Sequence, residues 1–230
     1  MNKLFDISIV NSIVDKFYNI DGNALDSNKN IYTLDELFAK LNENECNLIY
    51  SFLSINPYDY GFKGKFLGIF PVPKKLVIIK DQKYIIDGEE MQIVPQYCPK
   101  EVYIHFVKMI DEMDKDIGKT LLVDSCYRSP ASQILTFLFF LKYHDFDFTH
   151  TISLVAFPGY SEHGDPVHQA IDVITTEGLP KRENPQDFEN TIEYKWLMNH
   201  ANKFNFYLSY PKNNKEGIAF EPWHWKYVIK

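Results

Sequence analysis

The sequence predicts an α+β fold built on an antiparallel sheet, with an N-terminal accessory region (residues 1–75) preceding a domain over residues 76–230. Helical and strand patterns are mixed rather than regularly alternating, and the strands near the C-terminus follow one another through short or hairpin-length connections. The chain of 230 residues is 45% hydrophobic, enough for a sizeable core, and 16% aromatic, which supplies ring faces for that core or for a pocket.

In the accessory region, Thr33 and Glu36 form a capping-box pattern that opens a helix running through Leu41. The stretch Asn56-Pro57-Tyr58-Asp59-Tyr60-Gly61 is turn chemistry. No catalytic grouping stands out before residue 75.

From Leu76 the pattern sharpens. Leu76-Val77-Ile78-Ile79 and Tyr84-Ile85-Ile86 read as short strands, with Asp87-Gly88 as a turn. Apolar residues at Val102, Phe106, Met109, Ile110 and Met113 keep a helical period from Lys100 to Asp116, and Gly118 ends that helix. Leu121-Leu122-Val123 reads as a buried strand. Ser129 can then cap, and Pro130 open, a helix reaching about Tyr143. Beyond a loop over residues 144–150, Ile152 to Phe157 is expected as a strand, as are residues 168–173. Trp196 to Phe204 reads as helix, and residues 206–210 and 223–229 as the closing strands.

The composition excludes some partners. The net charge is −7 with both signs interspersed, so no basic stripe offers itself to a nucleic acid. Cys46, Cys98 and Cys126 are too widely spaced for a metal clip and are expected as buried or partly buried thiols. Asp6, Asn11 and Asp15 interrupt any export-type apolar run, and the apolar stretch Ile134–Leu141 is far short of the ~20 residues that span a bilayer. The expectation is a soluble chain without a recognisable signal peptide, cytoplasmic as written, with release from the cell possible by an unseen route. Its oligomeric state is not legible.

The chemistry gathers in the C-terminal third. Glu221-Pro222-Trp223-His224-Trp225-Lys226-Tyr227 places a carboxylate and an imidazole three residues apart among aromatic rings. With Ser161-Glu162-His163 and Ala170-Ile171-Asp172 upstream, two histidines and a carboxylate can hold one zinc ion, and a further glutamate can handle a proton. Strand alternation puts Asp172 on the face of the small Ala170, which leaves room for an ion. Gly164-Asp165-Pro166 favours a chain reversal that returns His163 over that face. His168 is the rival, but residues four apart on a strand are separated by ~13 Å, too far for two side chains to share one ion. On the last strand, His224 and Lys226 share a face opposite Trp223, Trp225 and Tyr227. Glu221 has the tryptophan parity, so only a bend at Pro222 could bring it beside His224.

Tyr127-Arg128-Ser129 with Gln133, Ser161-Glu162-His163, Ala170-Ile171-Asp172 and the Glu221–Tyr227 segment together resemble the D-alanyl-D-alanine carboxypeptidase (VanY-like) family of zinc peptidases. That family is related to lysostaphin-type peptidases and the hedgehog domain. The resemblance covers roughly residues 90–230. It implies a zinc cleft flanked by helices, with His163, Asp172 and His224 as ligands of one zinc and Glu221 as the catalytic base. It also implies that Arg128 meets a substrate carboxylate or a developing oxyanion, that Ser161 contacts the terminal carboxylate, and that Gln133 and Tyr127 complete the substrate site. In the family the first histidine and the aspartate are usually closer, with a glycine between them; here His168 stands at that glycine. Cys126 replaces a usual glycine and Lys226 a usual arginine.

The expectation is therefore a zinc D,D-carboxypeptidase acting on the terminal D-Ala-D-Ala bond of peptidoglycan stem peptides. The rivals are a D,D-dipeptidase, an endolysin-like L-Ala-D-Glu peptidase, or a non-catalytic zinc-stabilised binding module.

Overall fold

The computed structural model describes residues 5–20, 22–180 and 184–228. The helices are α1 (Ile7–Phe17), α2 (Leu34–Phe38), α3 (Glu43–Leu53), α4 (Lys100–Ile117), α5 (Pro130–Tyr143), α6 (Phe148–Leu154), α7 (Pro185–Glu189) and α8 (Ile192–His200). The strands are β1 (Leu76–Ile79), β2 (Lys83–Ile86), β3 (Glu89–Gln92), β4 (Gln96–Pro99), β5 (Leu121–Ser125), β6 (Ala170–Thr175), β7 (Phe206–Leu208) and β8 (His224–Tyr227). The chain divides into two compact units. One holds Met1–Val72, Arg128–Ser161 and Lys215–Ala219; the other holds Pro73–Tyr127, Glu162–Asn214 and Phe220–Lys230.

The first unit is helical. Asp6 caps α1 by accepting from the Ser8 amide, and Val10, Ile13, Val14 and Phe17 are buried at the i, i+3, i+4, i+7 spacing of one helix face. That face packs on α5, whose residues from Ala131 to Leu138 are all buried. A helix apolar on every side must be enclosed, and rings of Phe52, Phe137, Phe148 and Phe157 help to enclose it. The expected caps are present: Thr33 with Glu36 forms a capping box on α2, and Ser129 accepts from the Ser132 amide ahead of Pro130 at α5. Asn42 and Glu45 form a second capping box on α3, and Glu45 also receives Ser12 and Lys16 from α1.

The second unit is built on a four-stranded antiparallel sheet in the order β5-β6-β8-β7. Val123, Ile171, Val173, Trp225 and Tyr227 point into a core shared with Val102, Phe106, Met109 and Met113 of α4 and with Trp196 and Leu197 of α8. Alternation then leaves Ala170 and Asp172 of β6, and His224 and Lys226 of β8, on the opposite face. A bulge in β5 between Val123 and Ser125 brings Ser125 opposite Asp172, and the Gln82 side chain pairs with both backbone groups of Val123. Two smaller antiparallel pairs, β1-β4 and β2-β3, complete the unit.

The mixed helices and antiparallel sheet agree with the α+β expectation. Two elements differ: the strand expected over residues 168–173 starts only at Ala170, and in the segment expected as a strand at Ile152–Phe157 the first three residues close α6 while the rest is irregular, because Asp147 caps a helix by accepting from the His150 amide. A short apolar run does not reveal its own period. Cys98 and Cys126 are buried with their sulfurs 2.6 Å apart, and Cys46 is half-buried. Among the described residues no helix is long and apolar enough to cross a membrane.

Candidate metal centre

Asp172 and His224 are register partners across β6 and β8, on the face turned away from the core. The pair needs no loop to bring it together. His224 Nδ1 lies 2.8 Å from Asp172 Oδ1. His163 arrives from a single 3-10 turn, Glu162–Gly164, and its Nε2 lies 3.2 Å from Asp172 Oδ2. The Gln169 side-chain Nε2 donates to the His163 carbonyl and fixes the segment joining that turn to β6. All three side chains are buried, and one candidate ligand atom from each lies within 4.8 Å of the others.

The remaining ring nitrogens have partners of their own. His163 Nδ1 donates to the Cys126 carbonyl at 2.6 Å, which leaves Nε2 facing Asp172. His224 Nε2 is 3.1 Å from Glu162 Oε2, which leaves Nδ1 facing Asp172. This is how metal-binding imidazoles are commonly set: one nitrogen toward the ion, the other fixed by an acceptor. Two imidazoles and one carboxylate, buried and convergent, fit a zinc ion with an open coordination position.

Glu221 stands beside this cluster. Its carboxylate is 3.8 Å from His224 Nδ1, and its side chain is mostly buried. The expected bend exists: the His224 amide donates to the Glu221 carbonyl, closing a turn over Pro222-Trp223 just before β8, so strand parity never applies to Glu221. The Glu221 amide in turn donates to the Tyr210 carbonyl, and the Tyr210 ring packs 4.8 Å from that of His224.

His168 lies apart from the cluster. It precedes β6 rather than joining it, its side chain is 43% exposed, and its Nδ1 is 3.0 Å from Asp165 Oδ2. The other expected site residues have separate settings. Tyr127 is buried directly after β5, its amide donating to the Tyr97 carbonyl. Arg128, Gln133 and Ser161 belong to the helical unit. Arg128 precedes the cap of α5, Gln133 donates to the Ala156 carbonyl at 2.6 Å, and Ser161 is buried.

The electrostatics follow from the crowding. Burial alone would push the Asp172 carboxyl up, but His163 and His224 outweigh it and hold the group well below the usual carboxylate range. Burial would lower His224; Asp172, then Glu162 and Glu221, raise it instead to about 10. Burial likewise opposes ionisation of Glu162, yet His224, Lys226 and Ser209 bring it down to about 2.

Two contributors were not singled out from the sequence. Glu162 lies inside the quoted Ser161-Glu162-His163, but its role depends on His224, 62 residues away. Ser209, whose hydroxyl donates to Glu162 Oε2, carries no local signal; only the β7-β8 pairing brings it in.

Residues 95–230 match the family described as D-alanyl-D-alanine carboxypeptidase, VanY. The chain belongs to the VanY family. Among VanY-type relatives it is 32% identical over 186 residues to YodJ of Bacillus subtilis (strain 168), covering 69% of this chain and 62% of the relative. It is 34% identical over 122 residues to the bifunctional D-Ala-D-Ala dipeptidase and D-Ala-D-Ala carboxypeptidase VanXYC of Enterococcus gallinarum, covering 50% of this chain and 58% of the relative. The chain thus matches about three-fifths of the length of each. Among solved structures it is similar to the LdcB LD-carboxypeptidase, with 30% identity, a TM-score of 0.51, and coverage of 68% of this chain and 69% of the other.

Proposed function

We propose that this VanY-family chain is a zinc-dependent carboxypeptidase that releases the terminal D-alanine of peptidoglycan stem peptides ending in D-Ala-D-Ala. The observation that carries the reading is the buried cluster of His163, Asp172 and His224 with the Glu221 carboxylate beside it. A binding module needs the three ligands but has no use for the fourth group.

His163, Asp172 and His224 would hold the zinc, which supplies Lewis acidity to the scissile carbonyl and to the attacking water. Glu221 takes the proton from that water and delivers it to the leaving amine. Its place at the mouth of the turn before β8 ties it to the same strand end as His224. Arg128 and Ser161 are assigned to the substrate's terminal carboxylate, with Gln133 and Tyr127 shaping that end of the site. A guanidinium suits a carboxylate through two parallel hydrogen bonds. Residues 1–75 are assigned a supporting role, since α1 and α3 commit their apolar faces to packing.

VanXYC is named for both dipeptidase and carboxypeptidase activity, which keeps the free dipeptide as a second candidate substrate. The test is mass spectrometry of zinc-loaded protein incubated with a stem pentapeptide, the same peptide amidated at its C-terminus, and D-Ala-D-Ala. Loss of one alanine from the pentapeptide is expected, with turnover of the amidated form lower by roughly 10²-fold or more. Equal rates on the two pentapeptides, or cleavage between L-Ala and D-Glu, would overturn the carboxypeptidase reading. Faster cleavage of the dipeptide would favour the dipeptidase.

A further inference from the structure

Glu162 has no part in the hydrolytic scheme, yet three groups converge on its carboxylate. Ser209 Oγ donates to Oε2 at 2.5 Å, and His224 Nε2 lies 3.1 Å from the same oxygen. Lys226 Nζ donates to Oε1 at 3.0 Å. The side chain is 11% exposed, so these contacts form largely out of water, where a charge-assisted hydrogen bond is strong and a lost partner is costly.

The arrangement is dictated by the strand. His224 and Lys226 are two residues apart on β8 and so project from one face, about 7 Å apart along the chain. A single carboxylate lying across that interval can engage both, one oxygen each. Ser209, directly after β7, closes the third side. Glu162 itself comes from the turn that delivers His163, so one short segment supplies a candidate ligand and grips another.

We propose that Glu162 is a positioning residue for the metal centre: clamped by Lys226 and Ser209, it accepts the Nε2–H of His224 and thereby aims Nδ1 at the ion shared with Asp172 and His163. The inference rests on the zinc reading given above. Glu162 is not itself a ligand, because a carboxylate bonded to Nε2 is directed away from an ion on Nδ1. It also gives Lys226 a purpose: that ammonium holds Glu162 in place and offsets its charge.

The test is zinc affinity by chelator competition, with the visible spectrum of the cobalt-substituted protein as a second reading. Glu162→Ala is expected to weaken zinc by about 10–100-fold and to shift the cobalt bands, since His224 loses its orienting acceptor. Glu162→Gln, whose amide oxygen still accepts from Nε2–H, should recover most of the affinity and the spectrum. Lys226→Met should weaken zinc less than Glu162→Ala does. Wild-type affinity and spectrum in Glu162→Ala would overturn the proposal, as would a Glu162→Gln protein as impaired as the alanine variant.

A metal-free reading keeps the inference separate from the zinc assignment. In wild-type protein the His224 Nε2–H should give an exchange-protected imidazole proton resonance that survives in Glu162→Gln. If the wild type binds no zinc, the zinc reading fails, and this resonance alone decides whether Glu162 holds His224. Its absence from wild-type protein overturns the proposal, including where Glu162→Ala does not fold.

Discussion

His224 on β8 sits directly opposite Asp172 on β6, with Nδ1 and Oδ1 2.8 Å apart. Two of the three candidate ligands are therefore set by sheet register, which a one-residue slip would destroy by turning each side chain to the other face. Trp225 and Tyr227, buried on the core face of the same strand, are what pin that register. The third ligand, His163, depends instead on a turn held by the Cys126 carbonyl and the Gln169 side chain.

Glu221 and His224 separate proton transfer from metal binding. Glu221→Gln is expected to keep the fold and the zinc while losing roughly 10²–10⁴-fold in turnover, the usual contribution of a positioned general base. Steady-state kinetics on zinc-loaded protein check it. A variant within a few-fold of wild type would remove Glu221 from the mechanism.

The choice between the two neighbouring histidines is equally open to test. His163→Ala should lose most of its zinc, because it removes a buried nitrogen facing Asp172. His168→Ala should keep it, because the half-exposed His168 turns to Asp165 and not to Asp172. Equilibrium dialysis against zinc distinguishes them, and the reverse pattern would show that the longer His163–Asp172 segment had been misassigned.

Much of the site was legible in the sequence where periodicity governs it. Alternation on β8 alone placed His224 and Lys226 opposite Trp225 and Tyr227. His168 stands apart for a reason strand spacing does not give: it precedes β6 and turns to Asp165. What escaped was what turns and long-range pairing decide. The parity of Glu221 was misleading because residues 221–223 are a turn. Glu162 and Ser209 become partners only when β7 pairs with β8. In the helical unit, Ser129-Pro130 announces α5, and α1 has a cap at Asp6 and an apolar face of its own. The strand expected near Ile152 failed because β-branched, apolar residues there serve a short capped helix.

Lys29 gives the helical unit a distinctive pH dependence. Its ammonium is buried against the Tyr18 ring, 3.4 Å from Ser132 Oγ. Burial, reinforced by the nearby Arg128 charge, lowers it to about 7. Below that value the folded protein carries the full handicap of a buried charge. As pH rises from about 7 toward the ordinary lysine value near 10.4, the unfolded chain binds the extra proton, so stability rises. The handicap amounts to roughly a few kcal/mol. Urea unfolding should show wild-type protein gaining stability relative to Lys29→Met between about pH 6.5 and about pH 9.5. Parallel pH profiles for the two proteins would refute the buried-charge account.

The central claim is that His163, Asp172 and His224 together form a zinc site. X-ray absorption at the zinc edge, on protein stripped by chelator and reloaded, tests it most directly. The account predicts about one zinc per chain, surrounded by nitrogen and oxygen at about 2.0–2.2 Å with the outer scattering of two imidazoles. A sulfur shell at about 2.3 Å, which would point to the Cys98 and Cys126 thiols, or the absence of bound zinc, would contradict it.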